Sequence, residues 1–269
     1  MAAHLLVHRG ISRALLQDHL AVDDFKQALE LRPDDPAALI NYFKLAHREG
    51  RVDTQIALGE RLLKMFPQDI STRHLMAKAY LSKDDYQKAI QTYLSILNFA
   101  PKRAEIWLEL AMTYRQLGEN QLALKAYQEC LRHDPFVFKA LNNLGSIYLD
   151  RHLYSEAKAC FYRALEIEPG SETVLQNLAN TYWQMQDIVA AKDAFQRLYH
   201  LQPEHLTALD GLIQMKLLLS DWQGLDLLQE RLIEKMEHNL THISPFNTLF
   251  LPLNAAQQLI IARAHAQKA

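Results

Sequence analysis

Asparagine side chains recur in this chain at multiples of 34 residues, and they are its most regularly placed hydrogen-bonding groups. Asn41, Asn143 and Asn177 share this spacing. An amide both donates and accepts hydrogen bonds, so a row of amides could pair with an extended peptide backbone whatever its side chains are. Two other interpretations stay open: ordinary polar residues on a solvated face, or hydrogen-bond partners between structural repeats.

Twelve histidines raise the question of a metal site. His4 and His8, and also His238 and His242, have the i, i+4 spacing that places two imidazoles on one helical face. A tetrahedral site needs about four ligands, and neither pair has a nearby Cys or an H-E-x-x-H pattern. No glycine-rich phosphate loop and no G-x-S-x-G motif is present. The sequence therefore predicts no metal, no cofactor and no catalytic residue.

Six prolines indicate the elements that must position these side chains. Their spacing is a constant 34 residues. A proline ends a helix because it cannot donate the backbone hydrogen bond and because it restricts the residue before it. A repeat of this length is typical of a two-helix unit that packs serially on its neighbours. The prolines are Pro33, Pro67, Pro101, Pro135, Pro169 and Pro203.

A second pattern lies within each 34-residue unit, here numbered with Ala104 as position 1. Positions 4, 7, 8 and 11 are mostly apolar and share one helical face. Small residues at positions 8 and 20 let two helices approach closely, and a Gly at position 15 supplies the turn between them. In the unit that begins at Ala104 the pattern is Trp107, Leu110, Ala111, Tyr114, Gly118, Ala123, Tyr127, Cys130 and Pro135.

This pattern closely resembles the tetratricopeptide repeat (TPR). The resemblance implies an all-α fold, a right-handed α-α superhelical solenoid, whose first helices line a concave surface that binds extended polypeptide. In that family, positions 2, 5, 6, 9, 12 and 13 are exposed on this surface. The peptide-binding residues predicted here are Asn41, Lys44, His47, His74, Lys78, Arg115, Asn142, Asn143, Asn177, Asn180 and Trp183.

The repeat pattern also predicts the domain organisation. Residues 36–205 form five full 34-residue repeats. Residues 1–35 match a second helix clearly but a first helix poorly, and are interpreted as a cap or a partial repeat. Residues 206–238 form a divergent capping repeat that lacks the final Pro. Residues 239–269 are expected to be an extended segment followed by a helix, a junction to a C-terminal domain absent from this chain.

Composition restricts the class of partner and the compartment. The chain has 29 Lys and Arg against 31 Asp and Glu, so a basic surface for nucleic acid is not expected. No apolar stretch is long enough to span a bilayer, and the N-terminus is too short and too polar for a secretory signal. Only Cys130 and Cys160 are present, both in helical segments, which indicates buried, reduced thiols and a cytoplasmic location.

The C-terminal region resembles a second, more specific family. Ser220, Asp221 and Trp222 lead into a helix, residues 244–253 read SPFNTLFLPL, and an Ala- and Gln-rich stretch follows at residues 255–263. This sequence is similar to the junction between the repeats and the catalytic half of bacterial O-linked N-acetylglucosamine transferase-like (SPINDLY) proteins. The resemblance implies a row of Asn at position 6, which Asn41, Asn143 and Asn177 match, whereas Leu75, Glu109 and Gly211 do not.

Two functions therefore stay open, and both require a protein or peptide partner in an extended conformation. The chain could be the non-catalytic, substrate-recognition arm of such a transferase, or a free-standing adaptor that assembles protein complexes. The clamp by which chaperone-adaptor repeats hold acidic tails is not expected, because position 5 carries no Lys. A spacer or dimerising role, with oligomers formed through the outer face or the end repeats, is the remaining alternative.

Overall fold

The computed structural model of the protein describes residues 1–236, which form fourteen α-helices and no β-strand. This confirms the all-α prediction, while the junction predicted for residues 239–269 lies outside the described residues. The chain divides into two compact units, Met1–Pro135 and the part from Phe136 on. The first helices of the successive pairs are α1 (Ala2–Leu15), α3 (Pro36–Arg48), α5 (Ile70–Leu81), α7 (Ala104–Gln116), α9 (Phe138–Asp150), α11 (Glu172–Gln184) and α13 (Leu206–Leu218). The second helices are α2 (Ala21–Leu31), α4 (Val52–Met65), α6 (Tyr86–Phe99), α8 (Asn120–His133), α10 (Tyr154–Ile167), α12 (Ile188–Leu201) and α14 (Leu225–Met236).

The prolines end the second helices in a uniform way. Each lies two residues beyond the last helical residue of α2, α4, α6, α8, α10 or α12. The residue just before it is extended, with φ between −141° and −126° and ψ between 67° and 102°. This is the conformation that the proline ring imposes on its predecessor. The same physical constraint, repeated every 34 residues, therefore sets the boundary between successive helix pairs.

The turn inside each pair depends on one left-handed residue at position 15. Gly50 and Gly118 occupy it with φ of 68° and 77°. Other side chains adopt the same conformation elsewhere, at a cost of about 1–2 kcal/mol relative to a right-handed residue. These residues are Asp84, His152, Gln186 and Ser220. The left-handed turn is thus common to these helix pairs, whereas the residue type at position 15 varies among them.

Close packing between the two helices of a pair depends on one large and one small residue. Position 8 is small and position 24 is aromatic in the pair formed by α9 and α10, where a Cβ built on Gly145 would lie 2.7 Å from Cε1 of Phe161. The order is reversed between α3 and α4, where Phe43 occupies position 8 and Gly59 position 24. The volume is conserved although the residues have exchanged places, which is the kind of core change that proteins tolerate best.

Gln55 departs from the repeat pattern, because it occupies position 20, where a small residue is expected. Its side chain is buried, and its Nε2 donates a hydrogen bond of 2.8 Å to the backbone oxygen of Leu75 in the next first helix. A buried amide needs such a partner to offset the loss of water. Gln55 therefore links α4 to α5 by a polar contact.

The N-terminal pair is held together by a buried carboxylate. Asp24 of α2 is 1% exposed and accepts hydrogen bonds from Arg9, with an Nε–Oδ1 distance of 3.0 Å, and from Arg13, with an Nη1–Oδ2 distance of 2.8 Å. Burial raises the pKa of Asp24, but the hydrogen bonds and charges of the two Arg outweigh it, and the net pKa is lowered. α1 and α2 thus pair in the segment for which the sequence predicts a cap or a partial repeat.

Asp221 has a similar role in the divergent last pair. Its Oδ2 lies 2.8 Å from Nζ of Lys216 on α13 and 3.3 Å from Nζ of Lys192 on α12, which anchors the turn that follows α13.

The thiols of Cys130 and Cys160 are free and buried, and burial raises the pKa of each to about 11, so neither is a reactive thiolate. None of the helices within residues 1–236 combines the length and the apolar character that a bilayer-spanning helix requires.

Candidate functional site

The eleven residues predicted to bind peptide all lie on first helices. We call the surface formed by positions 2, 5, 6, 9, 12 and 13 of these helices the first-helix face, and describe it separately for each unit. Lys44 and His47 are exposed and the other nine are partly buried, so none of the eleven is fully enclosed in the core. In the first unit they are Asn41, Lys44 and His47 on α3, His74 and Lys78 on α5, and Arg115 on α7; in the second they are Asn142 and Asn143 on α9, and Asn177, Asn180 and Trp183 on α11.

A cavity of about 250 Å³ lies where α1 and α3 meet in the first unit. Asn41 stands beside it and donates from Nδ2 to the backbone oxygen of Ala37 at 2.7 Å, which leaves its own carbonyl oxygen as an acceptor. Arg48 donates from Nη2 to the backbone oxygen of Ala14 at 2.6 Å. We call this cavity the N-terminal pocket; its lining residues are Ile11, Ala14, Leu15, Phe25, Asn41, Lys44, Leu45 and Arg48.

Carboxylates face the basic side chains of α5 in this unit. Nζ of Lys78 lies 3.4 Å from Oε1 of Glu109, and the His74 ring lies 3.8 Å from Glu105 and 4.0 Å from Glu109. Burial, aided by the charge of Lys78, lowers the pKa of His74, so its imidazole is neutral at pH 7. Burial, with Glu109 next in effect, raises the pKa of Tyr93 beneath this cluster. This part of the first-helix face therefore carries little net positive charge.

Asparagines on neighbouring first helices contact one another in the second unit. Nδ2 of Asn177 donates to Oδ1 of Asn142 at 3.1 Å, which links α11 to α9. This is the internal hydrogen bond that one interpretation of the sequence predicts. It uses one of the two N–H groups of Asn177, and an amide carbonyl has two lone pairs, so the pair keeps capacity for a further partner.

Trp183 lines a second cavity, of about 530 Å³, in the second unit. The other lining residues are Gln184 at the end of α11, Gln186 in the turn after it, Ile188 at the start of α12 and Leu218 at the end of α13. Trp183 is partly buried there.

Sequence reasoning missed the contribution of α1 to the candidate site. Ile11 and Leu15 line the N-terminal pocket, yet the repeat pattern over residues 4–16 is too weak to align them with the other first helices. α1 is one residue longer than α3, and its left-handed turn residue is Gln17, at position 16. The i, i+4 spacing of Ile11 and Leu15 was the available signal that they share one face of α1.

The histidine pair His4 and His8 lies together, with 3.2 Å between the two Nε2 atoms. No group of three metal-binding side chains occurs in residues 1–236.

Gly211 interrupts the row of position-6 asparagines for a steric reason. A Cβ built on Gly211 would lie 2.5 Å from Cζ of Phe195, so no side chain fits there without displacing the ring. We expect Gly211→Asn to lower the free energy of unfolding by about 1–3 kcal/mol, the cost of overpacking a core. Urea denaturation followed by circular dichroism measures it. Gly170→Asn is the matched control, because a Cβ there meets nothing within 4 Å; equal stability of the two variants would contradict this packing account.

Family models match most of the helix pairs. Models described as tetratricopeptide repeat match residues 19–70, 138–171 and 173–205, and one described as anaphase-promoting complex, cyclosome, subunit 3 matches residues 48–130. These matches cover parts of both units.

Curated relatives match only parts of their own length. Human protein O-mannosyl-transferase TMTC3 is 30% identical over 155 residues, 54% of this chain and 16% of the relative. The anaphase-promoting complex subunit CDC16 of Saccharomyces cerevisiae is 30% identical over 112 residues, 42% of this chain and 13% of the relative. DnaJ homolog subfamily C member 3 of Gallus gallus is 26% identical over 146 residues, 49% of this chain and 28% of the relative. The chain thus spans less than a third of each.

Solved structures share the fold at low sequence identity. The C-terminal part of a TPR repeat-containing protein from Cytophaga hutchinsonii has a TM-score of 0.69 at 16% identity, covering 88% of this chain and 95% of that one. YrrB, described as a TPR protein with an unusual peptide-binding site, has a TM-score of 0.59 at 20% identity, covering 69% and 95%. Together with the 34-residue period and the helix pairs, these comparisons show that the chain is built of tetratricopeptide repeats and has the fold of a TPR solenoid.

Proposed function

We propose that this chain is a non-catalytic scaffold that binds polypeptide in an extended conformation along its first-helix face. The observation that carries the proposal is the placement of half-buried polar side chains at the same position of successive first helices, as with Asn143 on α9 and Asn177 on α11, which both occupy position 6. Such groups are held in place by the helices yet remain accessible to a ligand. The description of YrrB as a peptide-binding TPR protein supports this use of the fold, and CDC16, a subunit of a multiprotein complex by name, supports an adaptor role.

The amides are expected to contribute directly to peptide binding. We expect the double substitution Asn143→Ala and Asn177→Ala to weaken binding of a peptide ligand about tenfold, the equivalent of 1.4 kcal/mol, because hydrogen bonds to the ligand backbone are lost. Fluorescence anisotropy with a peptide selected for binding to the full chain measures the affinity. Circular dichroism verifies that the helices persist.

Gln196→Ala is the matched control for this test. Gln196 is an exposed amide on the second helix α12, away from the first-helix face. Its replacement removes an amide of the same unit and is expected to leave the affinity unchanged. Equal affinity of the double Asn variant and the control would contradict the role of the amides.

A second candidate is the substrate-recognition arm of a protein glycosyltransferase resembling O-linked N-acetylglucosamine transferases. Two sequence features favour this candidate: the segment SPFNTLFLPL at residues 244–253, and the asparagines at position 6, namely Asn41, Asn143 and Asn177. The match to TMTC3, a protein O-mannosyl-transferase by name, gives further support. Reading the natural gene beyond the codon for Ala269 tests this candidate. An open frame that encodes a two-lobed nucleotide-sugar domain would support it, and a stop codon would leave the adaptor role.

A cytoplasmic location is part of the proposal. Cys130 and Cys160 are both free, and each is buried in its own unit, as expected of a protein that works in a reducing compartment. Microscopy of the natural full-length gene product with a fluorescent tag tests the location; accumulation in a secretory compartment would contradict it.

A further inference from the structure

The N-terminal pocket combines an apolar interior with an open entrance. Phe25 and Leu45 are buried at its base, and Ile11 is partly buried beside them. Leu15, which also lines the pocket, is 76% exposed. The volume, about 250 Å³, lies below the range of about 300–1,000 Å³ that is typical of small-molecule sites. The cavity is therefore of a size that suits a single inserted side chain.

The charge around this pocket is positive and locally uncompensated. The two first helices that form it, α1 and α3, contain no Asp and no Glu. Arg9 and Arg13 of α1 are bound to Asp24, but Lys44 of α3 has no ion pair within residues 1–236. By contrast, Lys78 on α5 forms an ion pair with Glu109 on α7. The first-helix face of this unit thus concentrates its unpaired positive charge beside the N-terminal pocket.

Polar groups at the entrance could orient a peptide backbone. The carbonyl oxygen of Asn41 is an acceptor that can face a ligand N–H group, since the Asn41 amide nitrogen is bound to Ala37. Arg48 is exposed but fixed by its hydrogen bond to the backbone oxygen of Ala14. A guanidinium held in this way can bind a carboxylate without first losing its conformational freedom.

We propose that the N-terminal pocket binds an acidic polypeptide segment, with one large apolar side chain inserted between α1 and α3 and flanking carboxylates on Lys44 and Arg48. The inference rests on the proposed function, and it adds the chemistry of the partner and the place where it is anchored. Charge complementarity selects the flanking residues of the ligand, and the apolar interior selects the anchor.

Three end-blocked, fluorescein-labelled peptides test the partner chemistry on the full chain. The first has one Leu flanked on both sides by Asp and Glu; the second has Ser in place of Leu; the third has Asn and Gln in place of the acids. We expect the first peptide to bind at least about tenfold more tightly than either of the others. Its affinity should fall at about 1 M salt, where the Debye length is about 3 Å.

Charge reversal at the pocket tests the location. Lys44→Glu should weaken binding of the acidic peptide about tenfold or more, because it replaces attraction by repulsion, and the fold loses no ion pair. Leu15→Ser should weaken it less, and the second peptide should be insensitive to this change. Lys26→Glu is the control, because Lys26 is an exposed cation on the second helix α2.

Each outcome bears on a separate claim. Equal effects of Lys44→Glu and Lys26→Glu, or equal affinity for the three peptides, would overturn the N-terminal pocket as an acidic-segment site. Binding of a single-stranded oligonucleotide at least as tightly as the acidic peptide would overturn the assignment of a polypeptide partner. If the neutral peptide binds and depends on Asn143 and Asn177, the proposed function stands although this inference fails. If no peptide of any composition binds, both fail.

Discussion

Gly145→Phe and Phe161→Gly are each expected to destabilise the second unit, and to compensate one another when combined. Alone, Phe161→Gly should cost about 4–6 kcal/mol, the sum of an emptied aromatic site and a helical Gly. Gly145→Phe should cost about 1–3 kcal/mol, because its Cβ alone would come within 2.7 Å of the Phe161 ring. The double variant should be about 2–3 kcal/mol more stable than the sum of the two costs predicts. Phe43 and Gly59 already show this reversed arrangement in the first unit.

Urea denaturation with fluorescence detection measures these stabilities. Trp183 and Trp222 report on the second unit, and Trp107→Phe as background removes the signal of the first. Ala159→Phe on the exposed side of α10 controls for the addition of an aromatic residue, and should change stability by less than about 0.5 kcal/mol. Strictly additive costs of the two single substitutions would show that positions 8 and 24 do not share one packing volume.

Asp24→Asn is expected to destabilise the N-terminal helix pair by about 2–3 kcal/mol, because two guanidinium groups lose a buried charged partner. The pKa of Asp24 is lowered in the folded state, so the ionised carboxylate stabilises the pair above the unfolded-state value of about 3.9. This stabilisation is lost as the pH falls through the folded-state pKa. The variant should therefore lose part of the acid dependence of stability below about pH 4.

Hydrogen exchange of the α1 and α2 amides measures this local stability, because a helix pair of a repeat stack can open locally. Asp23→Asn is the matched control, since Asp23 is the exposed neighbour on the same helix. Equal protection of the two variants, or an unchanged acid dependence for Asp24→Asn, would mean that the ion cluster does not hold the pair together.

The all-α fold built of helix pairs could be predicted from the sequence. The prolines and the position-15 turns act locally, so their spacing alone places the ends of helices such as α6 (Tyr86–Phe99) and α8 (Asn120–His133). α1 is different, because residues 4–16 match the repeat pattern only weakly. What holds it is the contact of Arg9 and Arg13 with Asp24, a long-range ion cluster that has no periodic signature.

The candidate site could be predicted only as a set of positions. The repeat alignment places Asn142 and Asn177 on first helices, but a sequence cannot say that their side chains bond to one another across α9 and α11. It also cannot distinguish Lys44, which is unpaired within residues 1–236, from Lys78, which faces Glu109. The difference depends on which carboxylates the neighbouring helix presents. The reason for Gly211 likewise became clear only from the position of the Phe195 ring.

The claim that the first-helix face binds polypeptide is tested most directly by site-specific photo-crosslinking of the full chain. A photoreactive amino acid is introduced in turn at Asn180, on the first helix α11, and at Arg197, an exposed site on the second helix α12. Each variant is irradiated with a bound peptide. We predict adducts with the peptide at Asn180 and none above background at Arg197. Adducts at Arg197 without adducts at Asn180 would place the ligand on the opposite helices and would contradict the proposed function.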